Sequence, residues 1–69
     1  MMRKEDWNKS RLCYPDEHKP LLIRTMNGEY HSASFMLYGR EGFFRSKDRT
    51  FSIWEVTHWM YIVEPDTNN

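Results

Sequence analysis

The sequence predicts a mainly β fold: a small antiparallel sheet of three to five strands, curled or SH3-like, behind an irregular or short helical N-terminal arm. Three observations carry that expectation. Segments rich in β-branched and aromatic residues recur, in "PLLIRTM" (20–26), "EYHSASFML" (29–37) and "FSIWEVTHWMYIV" (51–63), and such side chains suit a pleated, half-buried surface. Asn27-Gly28 separates the first two, and this pair is a strong short-range hairpin signal because a type I′ turn needs φ > 0 at both central residues. The chain of 69 residues holds three Trp, four Tyr and four Phe. Rings that bury roughly 150–250 Å² each are an efficient filling for a thin core.

The elements follow in order within a single domain, 1–69. Residues 1–19 form an arm and loop, with a one-turn helix or a short edge strand equally compatible with "RKEDWNKSRL". Trp7 and Leu12 are its large apolar residues before Tyr14 and are expected to pin it to the core. "YPDEHKP" (14–20) is loop, since proline fixes φ and disfavours helix in the residue before it. The sheet should span 20–63. In its first hairpin a two-residue turn would pair Ile23 with Ser32, and a three-residue loop would pair Ile23 with Ala33; both registers remain open. "YGREG" (38–42) makes a turn through Gly39 and Gly42, "FFR" a short third strand, and "SKDRT" a polar loop. From Phe51 onward, period two places Ile53, Thr57, Trp59, Tyr61 and Val63 on one side, and Trp54, Val56, His58, Met60 and Ile62 on the other. Both sides are largely apolar, which predicts a strand covered on both faces. A helix there is disfavoured, with no capping pattern read. Residues 64–69 are a polar, flexible tail.

The totals exclude several classes of function. Ten Lys and Arg balance ten Asp and Glu, so no long-range field draws the chain to nucleic acid or an anionic membrane. Weak colloidal repulsion makes a homo-oligomer plausible. A lone cysteine, Cys13, permits no internal disulfide and no CxxC metal or redox motif, which favours a reducing, cytoplasmic setting. No apolar stretch reaches the ~20 residues of a membrane span.

"RL" at 11–12, "PLLI" at 20–23, "NG" at 27–28 and above all "VTHWM" at 56–60 occur in an order that resembles domain of unknown function family 551, over about Trp7 to Pro65. The resemblance implies a short phage- or prophage-encoded accessory protein and no established reaction. This chain departs from the family pattern at Cys13 and Tyr14, inserted between "RL" and Pro15, and at Tyr61 and Val63, where prolines are usual. Two restored backbone donors would let the last strand run further or pair with another chain.

Each candidate chemistry has a plainer reading beside it. His58 lies between Val56 and Met60, and no other His, Cys or carboxylate stands at a zinc-binding spacing. In a regular strand Thr57 points to the opposite face, so His58 reads as a structural histidine. Cys13 with His18 or His31 lacks room for a catalytic cleft. Glu41, Glu55 and Glu64 are candidates only by being acidic. No catalytic residues, metal or cofactor are therefore expected, and the chain reads as a non-enzyme. Segment 40–51 carries Arg40, Arg45, Lys47 and Arg49 with Phe43 and Phe44 between them, a pattern able to hold phosphates while rings stack on bases. Glu41 and Asp48 halve its excess charge. Tyr38, Trp54, Trp59 and Tyr61 are of types that dominate interface hot spots. The favoured reading is a protein-binding module acting on a host or phage protein, such as a defence system; the alternative is a weak single-stranded nucleic-acid binder.

Overall fold

The computed structural model describes residues 7–62. They form one six-stranded antiparallel sheet and a single turn of 3-10 helix. The strands are β1 (Asn8–Lys9), β2 (Leu21–Thr25), β3 (Tyr30–Tyr38), β4 (Glu41–Ser46), β5 (Thr50–Ser52) and β6 (Val56–Tyr61), with the 3-10 turn at Ile53–Glu55. Their spatial order is β1-β6-β2-β3-β4-β5. Strands β2 to β5 are a meander. The chain then crosses through the 3-10 turn so that β6 returns beside β2, and the arm adds β1 outside it. The two edges, β1 and β5, do not pair with each other. The strand expected at "FFR" is twice as long as that tripeptide, and the stretch expected to be strand from Phe51 is broken at 53–55. Val63 and the 64–69 tail lie outside the described residues.

One face of the sheet is dry. Leu21, Ile23, Phe35 and Phe44 are fully buried, and Ala33, Phe51, Val56 and Trp59 nearly so. Cross-strand partners share a face, and the pairs Leu21–Ala33, Ile23–Trp59, Phe35–Phe44 and Phe44–Phe51 carry the core across five strands. The Phe35 and Phe44 rings lie 5.2 Å apart at 57°, a tilted contact of the favoured kind. Among the described residues no second layer covers the opposite face: His58 and Met60 on β6 and Arg24 on β2 are only half-buried. The expected covering of both faces of the last strand is thus corrected. Its double apolar character has another cause, a bulge.

That bulge is read from the register. Arg24 pairs with His58 but Thr25 pairs with Val56, so Thr57 is the extra residue on β6. A bulge places two residues opposite one and re-aims the side chains on either side. Val56 and Trp59, three apart, therefore both point into the core. Thr57 is also brought to His58: its Oγ1 lies 3.0 Å from His58 Nδ1. The Thr-His contact excluded by regular alternation does occur.

The first hairpin takes a third register, with Leu21 opposite Ala33 and Ile23 opposite His31. Its loop is Met26–Asn27–Gly28. Gly28 N–H donates to the Thr25 carbonyl at 2.9 Å and Thr25 N–H to the Glu29 carbonyl at 2.8 Å, and Gly28 sits at φ +83°. A three-residue loop with a left-handed glycine at its end is the next most common hairpin after the two-residue kind. The Thr25 hydroxyl accepts the Glu29 N–H at 3.2 Å, which helps to hold Met26 in the loop. At the second turn Gly39 has φ +63°, but Gly42 lies within β4, not in the turn.

The arm is pinned differently from the expectation. Its strand β1 pairs with β6. Leu12 is 79% exposed, and Trp7 packs on Tyr30 and His58 on the outer face. The anchor is Ser10, whose N–H donates to the Thr57 carbonyl at 3.1 Å and whose hydroxyl donates to the Val56 carbonyl. Ser10 is 1% exposed. It satisfies carbonyls that the bulge removes from the ladder. Pro15 is buried as well, and the loop closes on β3 through His18 N–H to the Phe35 carbonyl at 3.0 Å.

Candidate functional site

An open groove of about 740 Å³ lies at one end of the sheet. Three segments frame it: the arm at Ser10, Arg11 and Tyr14; the start of β4 from Arg40 to Phe43; and the 3-10 turn with Ser52, Ile53 and Trp54. The turn is held by Ser52 and Glu55, because the Ser52 N–H donates to Glu55 Oε2 at 2.9 Å. This is half of the reciprocal Ser-x-x-Glu device that fixes helix starts. It presents Trp54 outward at 80% exposure.

The floor of the groove rests on Gly42. A Cβ there would lie 2.6 Å from Phe35 Cζ and 3.0 Å from Ile53 Cδ1, so only a glycine lets the Phe35 ring pass beneath. Tyr14 then stacks over that ring at 5.3 Å. Arg11 and Arg40 line the groove with one carboxylate, Glu41. The surface is therefore apolar at its centre with one net positive charge at its rim.

The structure divides the four aromatic candidates. Trp54 lines the groove. Tyr38 is 64% exposed, lies at the adjacent turn and packs edge-on against Phe43 at 5.9 Å. Trp59 is withdrawn as an interface residue: it is 4% exposed, and its Nε1–H donates to the Cys13 carbonyl at 3.1 Å. The bulge at Thr57 turned it inward. Tyr61 serves largely as a clasp. Its hydroxyl accepts the Asp16 N–H at 2.9 Å, its ring meets Trp59 at 5.0 Å, and Lys19 lies over it at 5.7 Å.

The basic-aromatic segment does not form one platform. Phe44 is fully buried and cannot stack on a base, and Phe43 is half-buried beside Tyr38. Arg40 belongs to the groove. Arg45 lies on the outer face of β4 opposite Thr50, while Lys47 and Arg49 lie at the β4–β5 turn, where Arg49 covers the Phe51 ring at 4.5 Å. Among the described residues no group of three or more His, Cys, Asp or Glu is placed to hold a metal ion. No helix there is long and apolar enough to cross a membrane.

Sequence reasoning missed Arg11, Tyr14 and Ile53 as groove residues. The usable signal was Ser52-Ile53-Trp54-Glu55, which marks a capped turn that must project a tryptophan. No protein-family model matches the chain, and no curated protein or solved structure is similar to it.

Proposed function

We propose that this chain is a non-enzymatic protein-binding module that receives an extended segment of another protein in the groove beside Trp54. The carrying observation is that the capped 3-10 turn holds a tryptophan in the open against an apolar floor. Trp54 is 80% exposed and outside the core cluster, and tryptophan buried on association is a leading interface anchor. The occupant is an apolar segment with a carboxylate, because Arg11 and Arg40 outnumber Glu41 on the groove walls. Tyr38 extends the contact beyond the turn, and Tyr61 contributes through the loop it clasps.

The sheet is read as SH3-like. Support comes from the meander β2 to β5, the 3-10 turn before the final strand, and the return of that strand beside the first of the meander. The likeness of "VTHWM" and its flanks to family 551 supports placing the chain among phage or prophage accessory proteins. The partner is then a host or phage protein, a defence component being one form. The single exposed thiol at Cys13 suits a reducing cytoplasm.

The test is selection from a random-peptide library on the full chain, followed by mapping of the winning peptide by amide chemical shifts. The expected result is enrichment of apolar sequences with an acidic residue, with shifts at Arg11, Gly42, Ile53 and Trp54. Selected peptides that map to the β4–β5 turn, or a library that yields none, would overturn the reading.

A further inference from the structure

A second site lies on the outer face, next to the groove: a further hollow takes Lys9 and His58 from this site and Arg11 and Trp54 from the groove. Lys9 pairs with His58, His58 with Arg24, and Arg24 with Tyr30. These four residues form one transverse row over β1, β6, β2 and β3. Neighbouring strands lie about 4.8 Å apart, so the three basic residues share a line roughly 10 Å long. Among the described residues no carboxylate forms an ion pair with Lys9, Arg24 or His58.

The row is also pre-organised. Arg24 Nη1 donates to Thr57 Oγ1 at 3.1 Å, Thr57 Oγ1 donates back to the Arg24 carbonyl at 3.1 Å, and His58 Nδ1 lies 3.0 Å from the same oxygen. One hydroxyl, displaced by the bulge, fixes both a guanidinium and an imidazole. With the hydroxyl proton given to the Arg24 carbonyl, His58 Nδ1–H is the donor to Thr57 Oγ1, and the remaining Arg24 N–H groups and the Lys9 ammonium are left for something else. Trp7, Lys9, Arg24 and His58 line a hollow of about 240 Å³, in which the Trp7 indole stands edge-on to His58 at 6.5 Å.

We infer that this hollow is a binding site for a phosphate group, held by Lys9 and Arg24 with His58 and Trp7 as its walls. A fork of guanidinium N–H groups and an ammonium on either side of one hollow suit a tetrahedral dianion with several acceptor oxygens better than a single carboxylate. The hollow has room for the phosphate together with part of a carrier along Trp7. The inference does not depend on the groove, whose walls include neither Trp7 nor Lys9 nor Arg24.

The test is an NMR titration of the full chain with inorganic phosphate, phenyl phosphate and, as an ionic control, potassium chloride. Saturable shifts at Lys9, Arg24, Thr57 and the His58 ring are expected with both phosphates and not with chloride. Lys9→Gln and Arg24→Gln should each weaken binding by about tenfold, the usual scale for one charge-assisted contact. Thr57→Val, which keeps every charge, should also weaken it by freeing the two side chains. A preference for phenyl phosphate that vanishes in Trp7→Leu identifies a ring-bearing monoester as the source; equal affinity identifies the free anion. Linear shifts matched by chloride would overturn the site, as would folded variants that bind like the parent. So would binding that appears only after Glu5→Gln and Asp6→Asn, since the chain's own acidic residues would then be the counter-ion.

Discussion

Replacing Gly42 with alanine probes the groove floor and the core together. The added methyl carbon would meet Phe35 Cζ at 2.6 Å, Cε1 at 2.7 Å and Ile53 Cδ1 at 3.0 Å. Carbon atoms settle at about 3.5–4.0 Å, so something must move by about 1 Å. Phe35 has no easy retreat, being fully buried between Phe44 at 5.2 Å and Tyr14 at 5.3 Å. Overpacking of this kind costs typically 1–3 kcal/mol. Loss of glycine's freedom in the unfolded chain returns about 0.4–1 kcal/mol. The net is a destabilisation of about 0–2.6 kcal/mol, centred near 1.3 kcal/mol, or at that centre a fall in Tm on the order of 5–10 °C for a domain of this size. Thermal unfolding by circular dichroism measures it. Gly42→Ala should cost less in a Phe35→Leu background than in the parent, because the clash disappears with the ring; the difference is read from a double-mutant cycle, since loss of the buried ring has its own cost. A Gly42→Ala cost equal in the two backgrounds would refute the packing argument and with it the shape of the groove floor.

Three further outcomes are expected. Ser10→Ala removes the donor to the Val56 carbonyl at a buried position and should cost about 1–3 kcal/mol in denaturant unfolding, the penalty for an unsatisfied buried group. Leu12→Ala should lie within about 0.5 kcal/mol of the parent, as exposed substitutions do, which distinguishes the two residues as anchors of the arm. Glu55→Ala frees the Ser52 N–H and should cost about 0.5–2 kcal/mol by analogy with other cap deletions; raised amide exchange at Ile53 and Trp54 would locate the effect in the turn.

The β class, the hairpin at Asn27-Gly28 and the turn at Gly39 were legible because each depends on a local preference. What was missed depends on one residue changing phase. Period two along "VTHWMY" assigns Val56 and Trp59 to opposite faces; the bulge at Thr57 unites them. Nothing in the side chains of 56–61 announces an extra residue, since the bulge is fixed by β2 opposite and by Ser10 from the arm. The hairpin register turned on the Thr25 hydroxyl, which competes for the Glu29 N–H and moves the loop one residue toward the N-terminus. The turn at 53–55 was legible in principle: Ser52 and Glu55 stand at the capping spacing, but the apolar residues around them read as strand. Of the candidate site, Trp54 and Arg40 were nameable in advance. Their meeting with Arg11 and Tyr14 required the arm to cross β6, a long-range fact.

The most direct measurement is the affinity of a groove-selected peptide for the parent chain and for Trp54→Ala, by calorimetry, with folding of both verified. Trp54 is 80% exposed and makes no core contact that its removal would break. A hot-spot tryptophan is worth 2 kcal/mol or more, so the account predicts a loss of affinity of about thirtyfold or greater at unchanged Tm. Affinities within a factor of about two of each other, well below that hot-spot scale, would show that the groove beside the 3-10 turn is not where this domain meets its partner.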